Sequence, residues 1–544
     1  MTPRDSGVFF LGFVVKKVQS TLGRIEKLIN SNQLEEAVKE TALVQDLSDA
    51  SRCFICGVVA FKRKEFQQAE AQLRRAIDLS PNQTNVQAGG HLGTLLVMQR
   101  RYDEARSFVI DAHQAFPKDT QFICNRAVLA LNDQEHQLVV DLLEPELGIR
   151  KNPVIYTALI SAYRLLFRID DAQQLLDRAM EMFPEHGDVW RMRADLLSEV
   201  DPLRAASAFA ALPPKDQADK TVLWNSSFVD LRLRNFERGW SNYEWGLESA
   251  IGKIGRPIPD IVNIFERVRD PHNVPPDKCV IVCGEQGIGD QVLFLGALRD
   301  FIKLHPNTMY LCDSRMVPLV RRSFPEIDCD VFGMLQLMRG RRDVAGYIPA
   351  GSLMKDFRPS TQSFVDHRTP YLPPKAKQVA AFRRELLKFS EGKPLVGISW
   401  KGGFWERQQK TKTIELGLWE PFLSRKDMCF VCLQYGDVSK EKEFVRSQGW
   451  NVKFIDGVDF KKDLDAWLSI TAACDLIVSI STALVHFAGA AGKKVYVLLG
   501  DKQQPFVWGL DELRSIVYPD VHLVRKVRGA DTSAYFTALN KIFV

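Results

Sequence analysis

Hydrophobic positions follow two different rhythms along the 544 residues. In the first half, small and apolar residues recur at fixed helical spacings. Gly57, Ala69, Ala76 and Pro81 stand at offsets 0, 12, 19 and 24. Gly93, Ala105, Ala112 and Pro117 repeat those offsets, and so do Ile160, Ala172, Ala179 and Pro184, with Tyr163 three residues after Ile160. Such a period predicts paired antiparallel helices. Alanine and glycine let two helices cross closely, and proline ends the second helix of each pair. Weaker copies fill the gaps. Asn32-Gln-Leu-Glu-Glu-Ala37 matches the turn and second helix of an earlier pair, 120–152 is degenerate, Asp188 to Pro213 is shortened, and Trp224 to Trp245 is the last. Residues 1–250 are thus expected to form an all-α solenoid whose concave face suits a protein partner.

Residues 251–277 carry Pro257, Pro259, Pro271, Pro275 and Pro276 and lose the helical period, which marks a linker. Beyond it the rhythm becomes apolar strand, glycine-rich turn, helix. Cys279–Cys283 and Thr308–Cys312 read as strands, with a helix over 292–304 between them. A second set reads as strands over 394–400, 428–433, 451–455, 475–479 and 494–498, after Pro370, Pro373 and Pro374. Alternating strands and helices predict parallel sheets. The expectation is two Rossmann-like halves, 278–375 and 376–544, with a ligand cleft at the carboxyl ends of the strands.

Three turns carry candidate chemistry. In Gly284-Glu-Gln-Gly-Ile-Gly-Asp290, the glycines Gly284, Gly287 and Gly289 permit a sharp turn and close approach of a ligand. Asp290 is either a helix cap or a base that deprotonates a hydroxyl, and Glu285 is a second candidate base. Ser399-Trp-Lys-Gly-Gly403 supplies Lys401 and Gly402, followed by Arg407, Lys410 and Lys412, a set of cations suited to a phosphate-bearing group or to a solvated loop. In Ile480-Ser-Thr-Ala-Leu-Val-His486, the residues Ser481, Thr482 and Ala483 form a strand-to-helix turn whose free N–H groups and positive helix end suit a diphosphate. His486 lies one turn into that helix.

Composition narrows the classes without changing this layout. Lys+Arg 72 against Asp+Glu 67 gives +5, neither a polybasic nucleic-acid chain nor an acidic tail. The apolar run Val8–Val15 is too short for a membrane span and lacks a cleavage site, so it reads as a buried or docking segment. Ten cysteines, including Cys53-x-x-Cys56 and Cys429-x-x-Cys432, make no disulfide framework; as buried small hydrophobes they suit a reducing, cytoplasmic compartment.

Taken together, the motifs resemble two known groups. The second half is similar to family 9 glycosyltransferases of the heptosyltransferase type, which have the GT-B fold of two Rossmann-like domains. The whole chain resembles bacterial tetratricopeptide-repeat (TPR) proteins with such a domain at the C-terminus, flagellin glycosyltransferases among them. The likeness rests on Gly284–Asp290, Arg322-Ser-Phe-Pro325, Gly351-Ser-Leu353, Phe357-Arg-Pro-Ser360, Gly397–Gly403, Cys432-Leu-Gln-Tyr-Gly-Asp437 and Ser479–Gly489, with Gly239-Trp240 and Tyr243-Glu244 before them. It implies an inverting protein O-glycosyltransferase with a nucleotide-sugar co-substrate and no resident cofactor or metal. Asp290 takes the role of base. Lys401, Gly402, Lys410, Lys412, Gln434, Ser481, Thr482, Ala483 and His486 fall on the donor side. Ser481 stands where the family carries Asp. The implied partner is a protein acceptor, flagellin or another secreted protein, held by the repeats. A non-catalytic TPR adaptor and a lipopolysaccharide heptosyltransferase are the alternatives.

Overall fold

The computed structural model describes residues 16–44, 47–79, 83–99, 101–248, 256, 258, 260–402, 413–500, 505–526 and 531–543. An all-helical repeat region comes first, and an α/β region with parallel sheets follows. The chain divides into two compact units, and the boundary falls between Leu196 and Leu197.

In the first unit, helices follow one another as hairpins: α1 (Lys16–Asn30) with α2 (Leu34–Leu43), α3 (Asp49–Lys62) with α4 (Phe66–Leu79), α5 (Gln83–Met98) with α6 (Tyr102–Ala115), α7 (Thr120–Asn132) with α8 (His136–Leu143), and α9 (Pro153–Leu165) with α10 (Ile169–Met182). The periodic alanines Ala69, Ala76, Ala105, Ala112, Ala172 and Ala179 are all fully buried. At Gly57, a Cβ would lie 2.8 Å from the Leu73 side chain of the facing helix, so only glycine allows that approach. The hairpin turns close in one way. Gln33, Glu65, Arg101, Glu135 and Arg168 each donate their N–H to the carbonyl five residues back, at 2.8–2.9 Å. Asn32, Lys64, Gln134 and Phe167, each one residue earlier, adopt φ of 60° to 64°. This is the Schellman stop without its usual glycine, at a left-handed cost of about 1–2 kcal/mol per turn. The sequence gives no glycine signal for these turns.

Helix α11 (Gly187–Val200) follows, and in the second unit α12 (Pro202–Ala210) and the single turn α13 (Pro214–Gln217) precede a last hairpin, α14 (Lys220–Arg232) with α15 (Phe236–Tyr243). Helical repeats therefore run to about residue 248, but the packing boundary lies earlier, and the last hairpin belongs to the α/β unit.

Two parallel sheets follow. The first has β1 (Cys279–Cys283), β2 (Thr308–Cys312), β3 (Asp328–Val331) and β4 (Val344–Pro349), in the order β3-β2-β1-β4. The second has β5 (Leu395–Ser399), β6 (Cys429–Cys432), β7 (Val452–Lys453), β8 (Leu476–Ile480), β9 (Val495–Leu499) and β10 (Val521–Arg525), in the order β10-β9-β8-β5-β6-β7. Strands β1, β5, β6 and β9 are buried throughout, as strands covered on both faces must be. The helices of the first half are α16 (Ile288–Leu304), α17 (Val317–Ser323), α18 (Leu353–Phe357) and α19 (Thr361–Asp366). Those of the second are α20 (Ala376–Ser390), α21 (Glu420–Leu423), α22 (Ser439–Gln448), α23 (Leu464–Ala473), α24 (Ala483–Ala490) and α25 (Ser533–Ile542). Strands β3, β4 and β10 have no counterpart in the sequence reading, because β3 and β10 carry charged residues (Asp328, Asp330 and Arg525) and β4 is interrupted by Gly346 and ends in Pro349.

One continuous apolar core joins Trp224, Phe236 and Trp240 of the last hairpin to Leu295 and Leu298 of α16 and to Val485 and Phe487 of α24. The ten cysteines are free thiols. Among the described residues no helix is long and apolar enough to cross a membrane.

Candidate functional site

Strand order decides where the candidate turns lie. In the first sheet β1 has β2 on one side and β4 on the other, so the turns after β1 and β4 diverge at its switch point. In the second sheet β5 lies between β6 and β8, so the turns at Lys401 and Ser481 diverge in the same way. Both switch points fall on motifs singled out by sequence.

At the first, the glycines act by closeness rather than by unusual torsion. Gln286, not a glycine, takes the left-handed conformation at φ 59°. A Cβ on Gly284 would lie 2.8 Å from Gln291 Oε1. Glu285 is fully sequestered. Its carboxylate accepts from Arg256 Nε at 2.8 Å, from Arg256 Nη2 at 2.6 Å and from the Gly351 N–H at 2.6 Å. Neither side chain of this pair is exposed, and Arg256 continues to Glu244 at 2.7 Å. Such a group holds the crevice together, which removes Glu285 as a mobile proton acceptor. Asp290 is different. It sits in the first turn of α16, half-buried, and its Oδ2 accepts the Gly287 N–H at 3.1 Å. The helix begins at Ile288, earlier than the sequence pattern indicated, and this makes Asp290 an N-terminal-turn carboxylate.

At the second, Gln434 is a brace. Its Oε1 accepts from Ser399 Oγ and from the N–H groups of Trp400 and Lys401 at 2.8–3.1 Å, and its Nε2 donates to the carbonyls of Lys401 and Tyr435. All its capacity goes into shaping the Lys401–Gly402 turn. Lys410, Lys412 and Arg407 lie outside the described residues.

Ser481, Thr482 and Ala483 form the turn into α24. Ser481 Oγ accepts from Trp508 Nε1 at 2.8 Å. Thr482 is the N-cap but its side chain makes no capping bond, and its Oγ1 is buried without a partner among the described residues. A buried hydroxyl left unpaired at a helix start is what an anion would satisfy.

His486 is held by a row of hydroxyls. Its Nδ1 lies 2.7 Å from Tyr518 OH, Tyr518 bonds Tyr371, and Tyr371 OH donates to the Val292 carbonyl at 2.9 Å. A carbonyl only accepts and each phenol has one proton. The row therefore runs from His486 Nδ1–H to Tyr518, then to Tyr371, then to Val292. Burial raises the Tyr371 and Tyr518 phenols above their ordinary value, so both stay protonated. Trp508 packs beside the imidazole with ring centres 5.4 Å apart.

The two halves meet here. A Cβ on Gly289 would lie 3.1 Å from His486 Cδ2 and 3.4 Å from Ala483 Cα. The first turns of α16 and α24 thus abut, two positive helix ends side by side, with Asp290 on one and Thr482 and His486 on the other. Elsewhere along the seam, Arg322 and Lys375 pair with Asp465, each at 2.7 Å. A cavity of about 440 Å³ beside them, lined by Ser314, Arg315, Pro318 and Lys462 to Asp465, shares no residue with the Asp290 group. Tyr371, Tyr518, Trp508 and Arg256 were not found by sequence reasoning. They lie outside every motif, more than twenty residues along the chain from the side chains they bond.

No family model matches the chain. It is 25% identical over 503 residues to Protein FlbA of Caulobacter vibrioides, covering 88% of this chain and 82% of that protein. Among solved structures, a family 9 glycosyl transferase from Veillonella parvula is 12% identical, covering 47% of this chain and 88% of its own, with TM-score 0.35. A tetratricopeptide repeat protein from Parabacteroides merdae is 11% identical, covering 44% and 94%, with TM-score 0.31.

Proposed function

We propose that the chain is an inverting glycosyltransferase that moves a sugar from a nucleotide-sugar donor to a hydroxyl of a protein. The observation that carries this reading is the meeting of two helix N-termini, one bearing Asp290, the other bearing the unpaired Thr482 hydroxyl and the oriented His486. The donor diphosphate sits at the start of α24 and the Lys401–Gly402 turn, with Lys410 and Lys412 as further cations. Asp290 takes the proton of the acceptor hydroxyl as its oxygen attacks the anomeric carbon. The bond from that carbon to the diphosphate breaks, and the nucleotide leaves with the electron pair. Helix dipoles and the lysines stabilise the leaving charge, so this chemistry requires no metal ion. The helical repeats hold the acceptor, flagellin or another secreted protein, in the cytoplasm.

Asp290→Asn is expected to lower transfer about 10²–10⁴-fold while acceptor binding is unchanged. Undiminished transfer by that variant overturns the assignment of the base. Intact-mass measurement of flagellin from a strain lacking this chain tests the acceptor: loss of a sugar mass is expected, and an unchanged mass removes flagellin.

A second reading, a protein-binding adaptor without catalysis, draws on Ser481. The hydroxyl at the position where the resemblance calls for a carboxylate is spent on Trp508. Failure of the wild-type chain to transfer sugar from any of UDP-, GDP-, ADP- and CMP-activated donors would favour it.

A further inference from the structure

The last hairpin, α14–α15, is bonded to both halves of the α/β unit at the places that shape the cleft. Toward the first half, Tyr243 OH accepts from Gln286 Nε2, the left-handed residue of the Gly-rich turn. Arg256 stacks over the Tyr243 ring at 4.5 Å and reaches Glu244 and Glu285 together. Ser352 Oγ donates to Glu244 at 2.8 Å, and Trp240 Nε1 donates to the Arg358 carbonyl at 3.0 Å. Toward the second half, Arg234 donates to Glu512 at 2.7 Å and to the Phe506 carbonyl at 3.0 Å. Trp240 meets Phe506 edge to face at 5.1 Å. Phe506 leads directly into Trp508, which bonds Ser481 and packs on His486.

Two domains joined by a short linker move relative to each other by default. An element bonded to both, and sharing their core, opposes that motion. We propose that the α14–α15 hairpin, built like a repeat, is a positioning element of the cleft. Tyr243 is the positioning residue for the turn that carries Asp290, acting through Gln286. Arg234 is the positioning residue for the Ser481–His486 turn, acting through the Phe506–Glu512 segment. The distance between the two helix ends is thereby set from outside both halves. What the cleft does rests on the glycosyltransferase reading; how it is held does not.

Amide hydrogen exchange on the full chain without ligand tests this. Tyr243→Phe keeps the ring and removes one hydrogen bond, so exchange at residues 284–290 is expected to rise about tenfold while 505–512 is unchanged. Arg234→Glu is expected to do the reverse, and Glu512→Arg in the same chain is expected to restore protection. In transfer assays with the panel of activated sugars, Tyr243→Phe is expected to lower kcat and leave the donor KM unchanged, a split that general loosening of the fold does not produce. Unchanged exchange at 284–290 in Tyr243→Phe, or no restoration by Glu512→Arg, overturns the proposal. The exchange readings need no donor, so they are decided separately from whether the chain transfers sugar.

Discussion

Two hairpins made by the same rules serve different ends. In α9–α10, Phe167 takes φ 60° and the Arg168 N–H closes on the Tyr163 carbonyl at 2.9 Å. In α14–α15, Arg234 takes φ 66° and the Asn235 N–H closes on the Asp230 carbonyl at 2.9 Å. The second helix then diverges. In α10, the positions that match Phe236, Trp240 and Tyr243 are Ile169, Gln173 and Leu176, and the place of the buried Trp240 is taken by a half-exposed polar side chain, Gln173. In α15 and its turn, Arg234, Phe236, Trp240 and Tyr243 face the α/β core, and the last three are at most 3% exposed. The turn chemistry makes a hairpin; the residues on its outer face decide what it belongs to.

The strongest way to break this comparison is to truncate equivalent positions. Trp240→Ala is expected to cost about 3–5 kcal/mol. Gln173→Ala, at the matching place in α10, is expected to stay within about 0.5 kcal/mol, because Gln173 makes only a solvent-side bond to Asp177. Urea unfolding checks both, and equal effects would show that the last hairpin is an ordinary repeat.

A smaller effect separates the cleft from its scaffold. Tyr518→Phe removes the middle hydroxyl of the row behind His486 and is expected to cost about 1–3 kcal/mol in unfolding free energy. Transfer should also fall, since the imidazole loses the bond that fixes its tautomer. A variant with wild-type stability and wild-type pH–rate profile would remove the row from the site.

The smallest effect near neutral pH is the order in which acid acts on the two units. Burial pushes His91, set between Phe54 and Phe122, down to about 4. It stays neutral in the native first unit, whereas in the unfolded chain it protonates near an ordinary value of about 6.5. Its contribution is therefore complete above that value and is lost as pH falls toward about 4. In the second unit burial alone would raise Glu244 and Asp465, but Arg256 and Arg267, or Arg322 and Lys375, outweigh it and hold both carboxyls below their ordinary range. Their contribution is complete above about pH 4 and is lost only below it, through the native values. Acid titration followed by hydrogen exchange should loosen the repeats around His91 first. His91→Phe should flatten that step and leave the second unit unchanged.

Much of this plan is legible in the chain. Ala69, Ala76 and their copies announce the hairpins because a helix crossing admits only small residues. Cys279–Cys283 followed by Gly284–Asp290 announces a strand and a turn. The Gly-rich turn and the Ser481–His486 turn were both found by local pattern, and both stand at switch points. Their internal chemistry was not legible. Asp290 reads as the first candidate base and Glu285 as the second, but nothing on paper shows that Glu285 is locked to Arg256 while Asp290 caps a helix at the seam. Gln434 reads as a ligand contact and is a brace. At the Gly-rich turn and the hairpin turns the left-handed residues are Gln286, Lys64 and Arg234 rather than glycines, since their bonds, not their side chains, hold the turns.

The sequence alone determined the helical pairs, the two strand-turn-helix sets and the short list of turns with polar chemistry. Each of these is written in contacts a few to about forty residues apart, where helical and strand periods leave a trace. The tertiary structure decided which turns face one another, which carboxylate is spent and which hairpin joins the α/β unit. Those choices rest on Arg234 meeting Glu512, Trp240 meeting the Arg358 carbonyl and Gly289 packing against His486. Such pairings follow from strand order and close packing of one shared core, and no period along the chain records them.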